Sequence, residues 1–246
     1  MSSFIVIPDT QGEVSLLYGL LEQIFDRNLL KDRKLVFLGD YMNRGEGTKQ
    51  LLDECIELKK LNHVFLRGNH EDVLIRAYLA YQQKDEFYRD IYIYQWLKME
   101  SDTLFSYGIS KYRKNNLRIF LEFFEALENF GHLNFLLSLP AYYESDNIIM
   151  IHAGIKPNLV WELQKSEIDS LLDSYEYEIE QIYSFELAKL ETHKEESKKV
   201  VSGHSTRDEP FVSKNRVMLD CGAGKPGKPL VAWVSDTNEI LYSYKK

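Results

Sequence analysis

Three apolar runs in the N-terminal part of the chain each end in a polar turn, and they recur at an almost constant interval. Residues 4–8 lead into Asp9-Thr10-Gln11-Gly12, and residues 34–38 into Gly39-Asp40-Tyr41-Met42-Asn43-Arg44-Gly45. Residues 63–66 lead into Arg67-Gly68-Asn69-His70-Glu71-Asp72. Asp40 lies 31 positions after Asp9, and Asn69 lies 29 after Asp40, each the length of one strand-helix-strand unit. Between them, Val14, Leu17, Leu21, Ile24 and Phe25, then Leu51, Leu52, Cys55, Ile56 and Leu58, repeat with helical period. Right-handed crossovers make such strands parallel neighbours, so Asp9, Asp40 and Asn69 are expected at one sheet edge. That is the edge where open α/β sheets bind ligands. Gly68 is expected to permit the turn that projects Asn69 and His70. A plainer reading makes Asn69 the cap of the next helix, with His70 and Glu71 solvated in its first turn.

Residues 73–139 read as mostly helical and rich in tyrosine and phenylalanine, a segment expected to cover the mouth of the site. Leu117, Phe120, Leu121, Phe124, Leu127 and Phe130 form an apolar stripe, and Ser138-Leu139-Pro140 stops the helix after it. The stripe reads as core and not as a base-stacking platform, because basic residues do not interleave with it. Residues 141–144 and 147–151 read as strands around Ser145-Asp146, the second ending at His152-Ala153-Gly154. An acidic amphipathic helix is expected over 168–193, with Ile168, Leu172, Tyr175, Ile179 and Ile182 at near-heptad spacing, resting on the body. A strand at 199–202 leads to Gly203-His204-Ser205-Thr206, and 216–219, 230–234 and 240–244 read as a closing antiparallel meander. Without an internal repeat or linker, one domain over residues 1–246 is the simplest organisation.

Hydrophobic content of 44% with 28% charged residues is ordinary for a globular protein, and the net charge of −8 disfavours broad binding to nucleic-acid polymers or anionic membranes. The N-terminal run is too short for a secretory signal and no run reaches membrane-spanning length, so a cytoplasmic location is expected. Cys55 and Cys221 match no metal-ligand or redox spacing and read as reduced thiols.

The strand-end residues Asp9, Gln11, Asp40, Asn69, His70, His152 and His204 supply carboxylate, amide and imidazole groups suited to one or two divalent ions. Their pattern resembles the DxH…GDxxDRG…GNHE…H…GH signature of the calcineurin-like metallophosphoesterases, and among them the bacterial and phage serine/threonine protein phosphatases. Asp102-Thr103-Leu104, Ser106-Tyr107-Gly108 and Leu219-Asp220-Cys221-Gly222-Ala223 are smaller echoes. The resemblance implies an α/β fold, a sandwich of two mixed β-sheets flanked by helices. It implies two divalent metal ions, manganese foremost with iron, zinc or magnesium as substitutes, and a bridging water as nucleophile. Asp40 would bridge the ions, Asn69, His152 and His204 would complete one site, and Asp9 with Gln11 the other. His70 would be the general acid beside Asn43, and Arg44, Arg67 and Asn69 would bind the substrate phosphate.

Two positions depart from the family pattern. Gln11 stands where histidine is usual, which should leave the Asp9/Gln11 metal site weaker. Asn43 stands where an aspartate would pair with the catalytic histidine, and an amide supplies no full charge to stabilise imidazolium. The enzyme expected is a phosphoprotein phosphatase, serine/threonine-type or of broad specificity, that prefers good leaving groups. The alternatives are a dinucleoside polyphosphate hydrolase of the diadenosine tetraphosphatase kind and a degenerate member that binds a phosphorylated partner. Substrates would be phosphorylated proteins, small phosphoesters or nucleotides, and the sequence does not fix the oligomeric state.

Overall fold

A computed structural model describes residues 3–100, 102–112, 114–190 and 198–245. The repeated unit folds as its spacing predicts. Strands β1 (Ser3–Ile7), β2 (Arg33–Phe37) and β3 (Val64–Phe65) are parallel neighbours, linked by helices α1 (Val14–Asp26) and α2 (Thr48–Lys60). Strands β9 (Leu230–Val234) and β10 (Glu239–Ser243) return to the other side of β1, giving the order β10-β9-β1-β2-β3. The second sheet has the order β4-β5-β6-β8-β7, with β4 at Tyr142–Glu144, β5 at Ile148–Ile151, β6 at Lys199–Ser202, β7 at Phe211–Val212 and β8 at Arg216–Met218. Its strands β5, β6 and β8 are parallel, and the two edge strands are antiparallel. The chain is therefore an α/β sandwich of two mixed five-stranded sheets.

Strand alternation builds the layers. On one face of the first sheet Phe4, Val6, Val36, Leu38, Val231 and Trp233 meet Met150, Val201 and Val217 of the second sheet. The intervening residues Ile5, Ile7, Leu35 and Phe37 point the other way and pack against the helices. Those helices include α3 (Asn69–Gln82), α4 (Glu86–Met99), the short α5 (Thr103–Ser106), α6 (Asn116–Asn129) and α7 (His132–Leu137). The aromatic stripe is core, as expected, although Phe123 is buried and Phe130 at the end of α6 is 48% exposed. Most of residues 73–139 packs on the first sheet and does not arch over the site. Val73 of α3, Met99 at the end of α4 and Thr103 of α5 do reach it.

Two further expectations fail. The acidic helix is not continuous: α8 (Trp161–Leu172) ends early, a single 3-10 turn covers Ile179–Gln181, and α9 is confined to Phe185–Lys189. The stretch from 191 to 193 lies outside the described residues. The break is tertiary in origin, since the Tyr175 carbonyl accepts from Tyr92, the Tyr177 carbonyl from buried Arg76, and the Tyr177 hydroxyl donates to Asp72 at 2.7 Å. These bonds draw the chain onto α3 and α4, where a straight helix could not reach. Nor is there a closing meander, because β8 belongs to the second sheet and only β9 and β10 form an antiparallel pair. Wholly buried Arg216 of β8 donates to the carbonyls of Leu190, Val200 and Val217 and to the Ser202 hydroxyl, fixing the strand beside β6.

Candidate metal and catalytic site

The turns after β1, β2 and β3 are knitted together by backbone and one buried carboxylate. Gln11 and Gly12 donate their amides to the carbonyls of Asp40 and Tyr41, both at 2.8 Å. Glu71, which the plainer reading would leave in solvent, is wholly buried and accepts from the amides of Asp40 (2.8 Å), Tyr41 (2.9 Å) and Gly68 (3.0 Å), tying the second turn to the third. Burial, and then the charge of Asp40, push its carboxyl up to about 8, and the amide donors oppose them. Gly68 is required for closeness and not for its torsions: its backbone is extended, but a Cβ there would sit 2.2 Å from Asp40 Oδ1. Gly68, not Asn69, is the N-cap of α3. Gln11, Asp40, Asn43, Arg44 and His204 all adopt positive φ, a conformation that costs non-glycine residues energy and gathers at functional sites.

Asn69, His152 and His204 converge with Asp40. The His152 Nδ1–H donates to the Leu38 carbonyl at 2.9 Å, which leaves Nε2 with its lone pair turned inward. That Nε2 lies 3.0 Å from Asn69 Oδ1, 3.0 Å from His204 Nδ1 and 3.5 Å from Asp40 Oδ2, and His204 Nδ1 lies 2.9 Å from Asn69 Oδ1. Asp40, His152 and His204 offer ligand atoms that all lie within 4.8 Å of one another, the one such group of histidine, cysteine and carboxylate side chains among the described residues. Burial and the Asp9 charge push the Asp40 carboxyl well up, while burial and the neighbouring histidines push the His204 imidazole down to about 2. A divalent cation relieves both effects, and the oxygen and nitrogen donors suit one.

The second proposed metal site is assembled beside it. Asp9 Oδ1 accepts from the His204 amide at 3.0 Å. Gln11 Nε2 donates to Asp40 Oδ2 at 3.1 Å, and its Oε1 is buried without a hydrogen-bond partner, so it has the oxygen a ligand needs. Asp220, so far only part of a motif echo, also lies close enough to interact with Asp9 and Asp40. It is buried, accepts from Gly222 N at 2.7 Å and the Thr206 hydroxyl at 2.9 Å, and is pushed up to about 6 by burial and Asp9. An acid directly after a strand is the signal that picked out Asp9 and Asp40, and Leu219-Asp220 carries it as well.

His70 donates its amide to Asp40 Oδ1 at 3.1 Å, and its ring Nε2 lies 3.6 Å from Asp40 Oδ2. Its Nδ1 is bound by the Nδ2 amide of Asn43. The orientation of that amide is set from α5. Asn43 Oδ1 accepts from the Thr103 hydroxyl at 3.0 Å, and Thr103 accepts from Asn43 N at 2.8 Å and contacts the Thr48 hydroxyl at 3.1 Å. With Nδ1 accepting, the proton of the neutral ring is on Nε2, facing Asp40. Burial, then the Arg44 charge, then His152 hold this imidazole down at about 3. Arg44 leaves Nη1 buried and unpartnered, as a group meant for an anion would. Arg67 is turned to Asp72, 3.3 Å from its Nη1, with Nε unpartnered.

The family model for calcineurin-like phosphoesterases matches residues 2–216, the stretch that carries every one of these residues except Asp220. The chain belongs to the calcineurin-like phosphoesterases. Such phosphoesterases use divalent metals, so the Asp40, His152 and His204 cluster is the candidate metal site of a phosphoester hydrolase. The asymmetrical bis(5′-nucleosyl)-tetraphosphatase PrpE of Anoxybacillus flavithermus is 26% identical over 129 residues, 52% of this chain but 45% of that relative's length. The fold is shared with a protein described as a diadenosine tetraphosphatase, at a TM-score of 0.57 and 17% identity, covering 100% of this chain and 94% of that one. A mutant of a cold-active protein tyrosine phosphatase aligns at a TM-score of 0.54 and 15% identity over 99% and 80% of the two chains. A metallophosphoesterase of Sphaerobacter thermophilus aligns at 0.51 and 14% over 100% and 88%. No helix among the described residues is long and apolar enough to cross a membrane.

Proposed function

We propose that the chain is a metal-dependent phosphomonoesterase of the phosphoprotein phosphatase type, broad in specificity, that favours esters of acidic leaving groups over serine and threonine esters. The observation that carries this reading is the direction of the Asn43–His70 bond. An amide N–H aimed at Nδ1 opposes protonation there, so His70 faces the site as a neutral imidazole. Such a ring offers its Nε2–H as a hydrogen bond to the departing oxygen but cannot hand over a proton without becoming imidazolate. Phenolates and acyl phosphates leave well under those terms, and a serine alkoxide does not.

Asp40, Asn69, His152 and His204 would hold one metal ion, and Asp9 with the oxygen of Gln11 a second, weaker one. When bound, the metal supplies an acidified water and charge neutralisation. Arg44 would clamp the non-bridging phosphate oxygens through charge-assisted hydrogen bonds. Arg67 would contribute only after release from Asp72. The same Asn43 also supports a second reading, hydrolysis of a dinucleoside polyphosphate, whose phosphoanhydride needs little acid assistance. The similarity to PrpE, a bis(5′-nucleosyl)-tetraphosphatase, supports that reading too.

Turnover of p-nitrophenyl phosphate, a phosphoserine peptide and diadenosine tetraphosphate, with manganese and with chelator, tests both readings. Fastest manganese-dependent turnover of the aryl ester is the expected result. Fastest turnover of phosphoserine overturns the leaving-group argument, fastest turnover of the dinucleotide favours the second reading, and inactivity on all three points to a phosphate-binding protein.

A further inference from the structure

A cavity of about 340 Å³ opens directly beside the candidate metal site, and the proposed mechanism leaves it unused. Asn69 and His204, two of the proposed ligands, are among its lining residues. Its walls are apolar: Val73 of α3, Met99 at the end of α4, and Ile179, Tyr183 and Phe185 from the broken segment after α8. Phe185 is 59% exposed, yet its ring is held, stacked on the His204 imidazole with centroids 4.3 Å apart and planes 29° apart. The Tyr183 hydroxyl is buried without a partner. An apolar cavity with few polar groups is the usual form of a small-molecule site.

We infer that this cavity binds the aromatic ring of an aryl phosphomonoester, such as a phosphotyrosine side chain, while its phosphate lies at the candidate metal site. The inference rests on the phosphomonoesterase reading above and names the substrate class of that site. Position selects the occupant. Because two of the proposed ligands line the cavity, a group seated in it with the phosphate at the metal site must be joined to phosphorus by a short link, such as a single oxygen. A phenol ring meets that condition, whereas a nucleobase is separated from the scissile phosphate by a ribose and at least one further phosphate. Charge agrees, since Lys98 and Glu180 at the lining offset each other and provide no cationic track for a polyphosphate. A ring stacked against the exposed part of Phe185 would add an aromatic contact to the one that Phe185 already makes with His204.

Ring recognition is separable from leaving-group ability by comparing phosphotyrosine with acetyl phosphate, a good leaving group without a ring. Binding gives a reading that does not require turnover: with manganese present, phenylphosphonate should bind at least tenfold more tightly than methylphosphonate by calorimetry. Gln95 is exposed at the cavity's edge, and Gln95→Trp should fill the cavity without burdening the core. In Gln95→Trp and in Phe185→Ala, the phenyl-to-methyl affinity ratio and the phosphotyrosine-to-acetyl phosphate ratio of kcat/KM should each fall at least fivefold. Equal affinity for the two phosphonates in the unsubstituted protein, or ratios within twofold of it in both variants, overturns the inference. Absence of all phosphatase activity with the phosphonate preference intact would instead overturn the hydrolase reading and leave the ring site standing.

Discussion

On the proposed reading, Asn43 is the side chain that sets the leaving-group preference of the site. Its amide orientation is fixed by Thr103, so replacing it with a carboxylate reverses the polarity at His70 Nδ1 from donor to acceptor and permits imidazolium. Asn43→Asp should raise kcat/KM for a phosphoserine peptide about tenfold while changing the p-nitrophenyl phosphate value less than twofold, within the span of general acid catalysis. Steady-state kinetics on the two substrates check this, and equal gains on both would refute it. At this scale the sequence was informative wherever a residue ends a strand: Asp9, Asp40, Asn69, His152 and His204 all reach one place. Glu71 and Thr103 were not legible as site residues. A glutamate in a helix's first turn is ordinarily solvated, and nothing near Thr103 in the sequence shows that it meets a residue 60 positions away.

Secondary-structure elements were legible in kind more than in allegiance. The period of 216–219 announces a strand but not which sheet receives it, because that depends on carbonyls reached by buried Arg216. The near-heptad run after residue 168 places Ile168 and Ile182 in the core as expected, but through α8 and a separate 3-10 turn, with the link between them held by Arg76, Tyr92 and Asp72. The edge strand β4 offers a test of its own. Glu144 pairs with Lys165 at 2.8 Å and with Lys198 at 2.5 Å; burial pulls its carboxyl up, but these two bonds outweigh it and hold the group down at about 2. A carboxyl depressed in the folded state lends stability above its unfolded value near 4.5, lost as pH falls from there toward 2. Urea unfolding at pH 5 and pH 3 should show a smaller acid loss in Glu144→Gln than in the unsubstituted chain.

For the whole molecule, the two sheets meet at the proposed metal site. Asp9, Asp40 and Asn69 come from the first sheet's turns, and His152 and His204 follow β5 and β6 of the second. A metal bound only by the folded protein at a hundredfold excess over its Kd stabilises by about 2.7 kcal/mol, roughly 5–10 °C for a chain of this size. Strong chelation should therefore lower the melting temperature by that amount in differential scanning fluorimetry, and His152→Ala should abolish the shift. After mild chelation, elemental analysis should find one retained ion, because the site with Gln11 is the weaker. Two retained ions would contradict that ranking.

The chain leaves the first sheet after β3, builds the second, and returns only with β9 and β10. No contiguous fragment holds the full donor set within complete sheets. Any turnover would thus report on the return of the chain to its first strand: a nascent chain stalled before residue 230 can hold every proposed ligand and still lack β9, the strand that flanks β1.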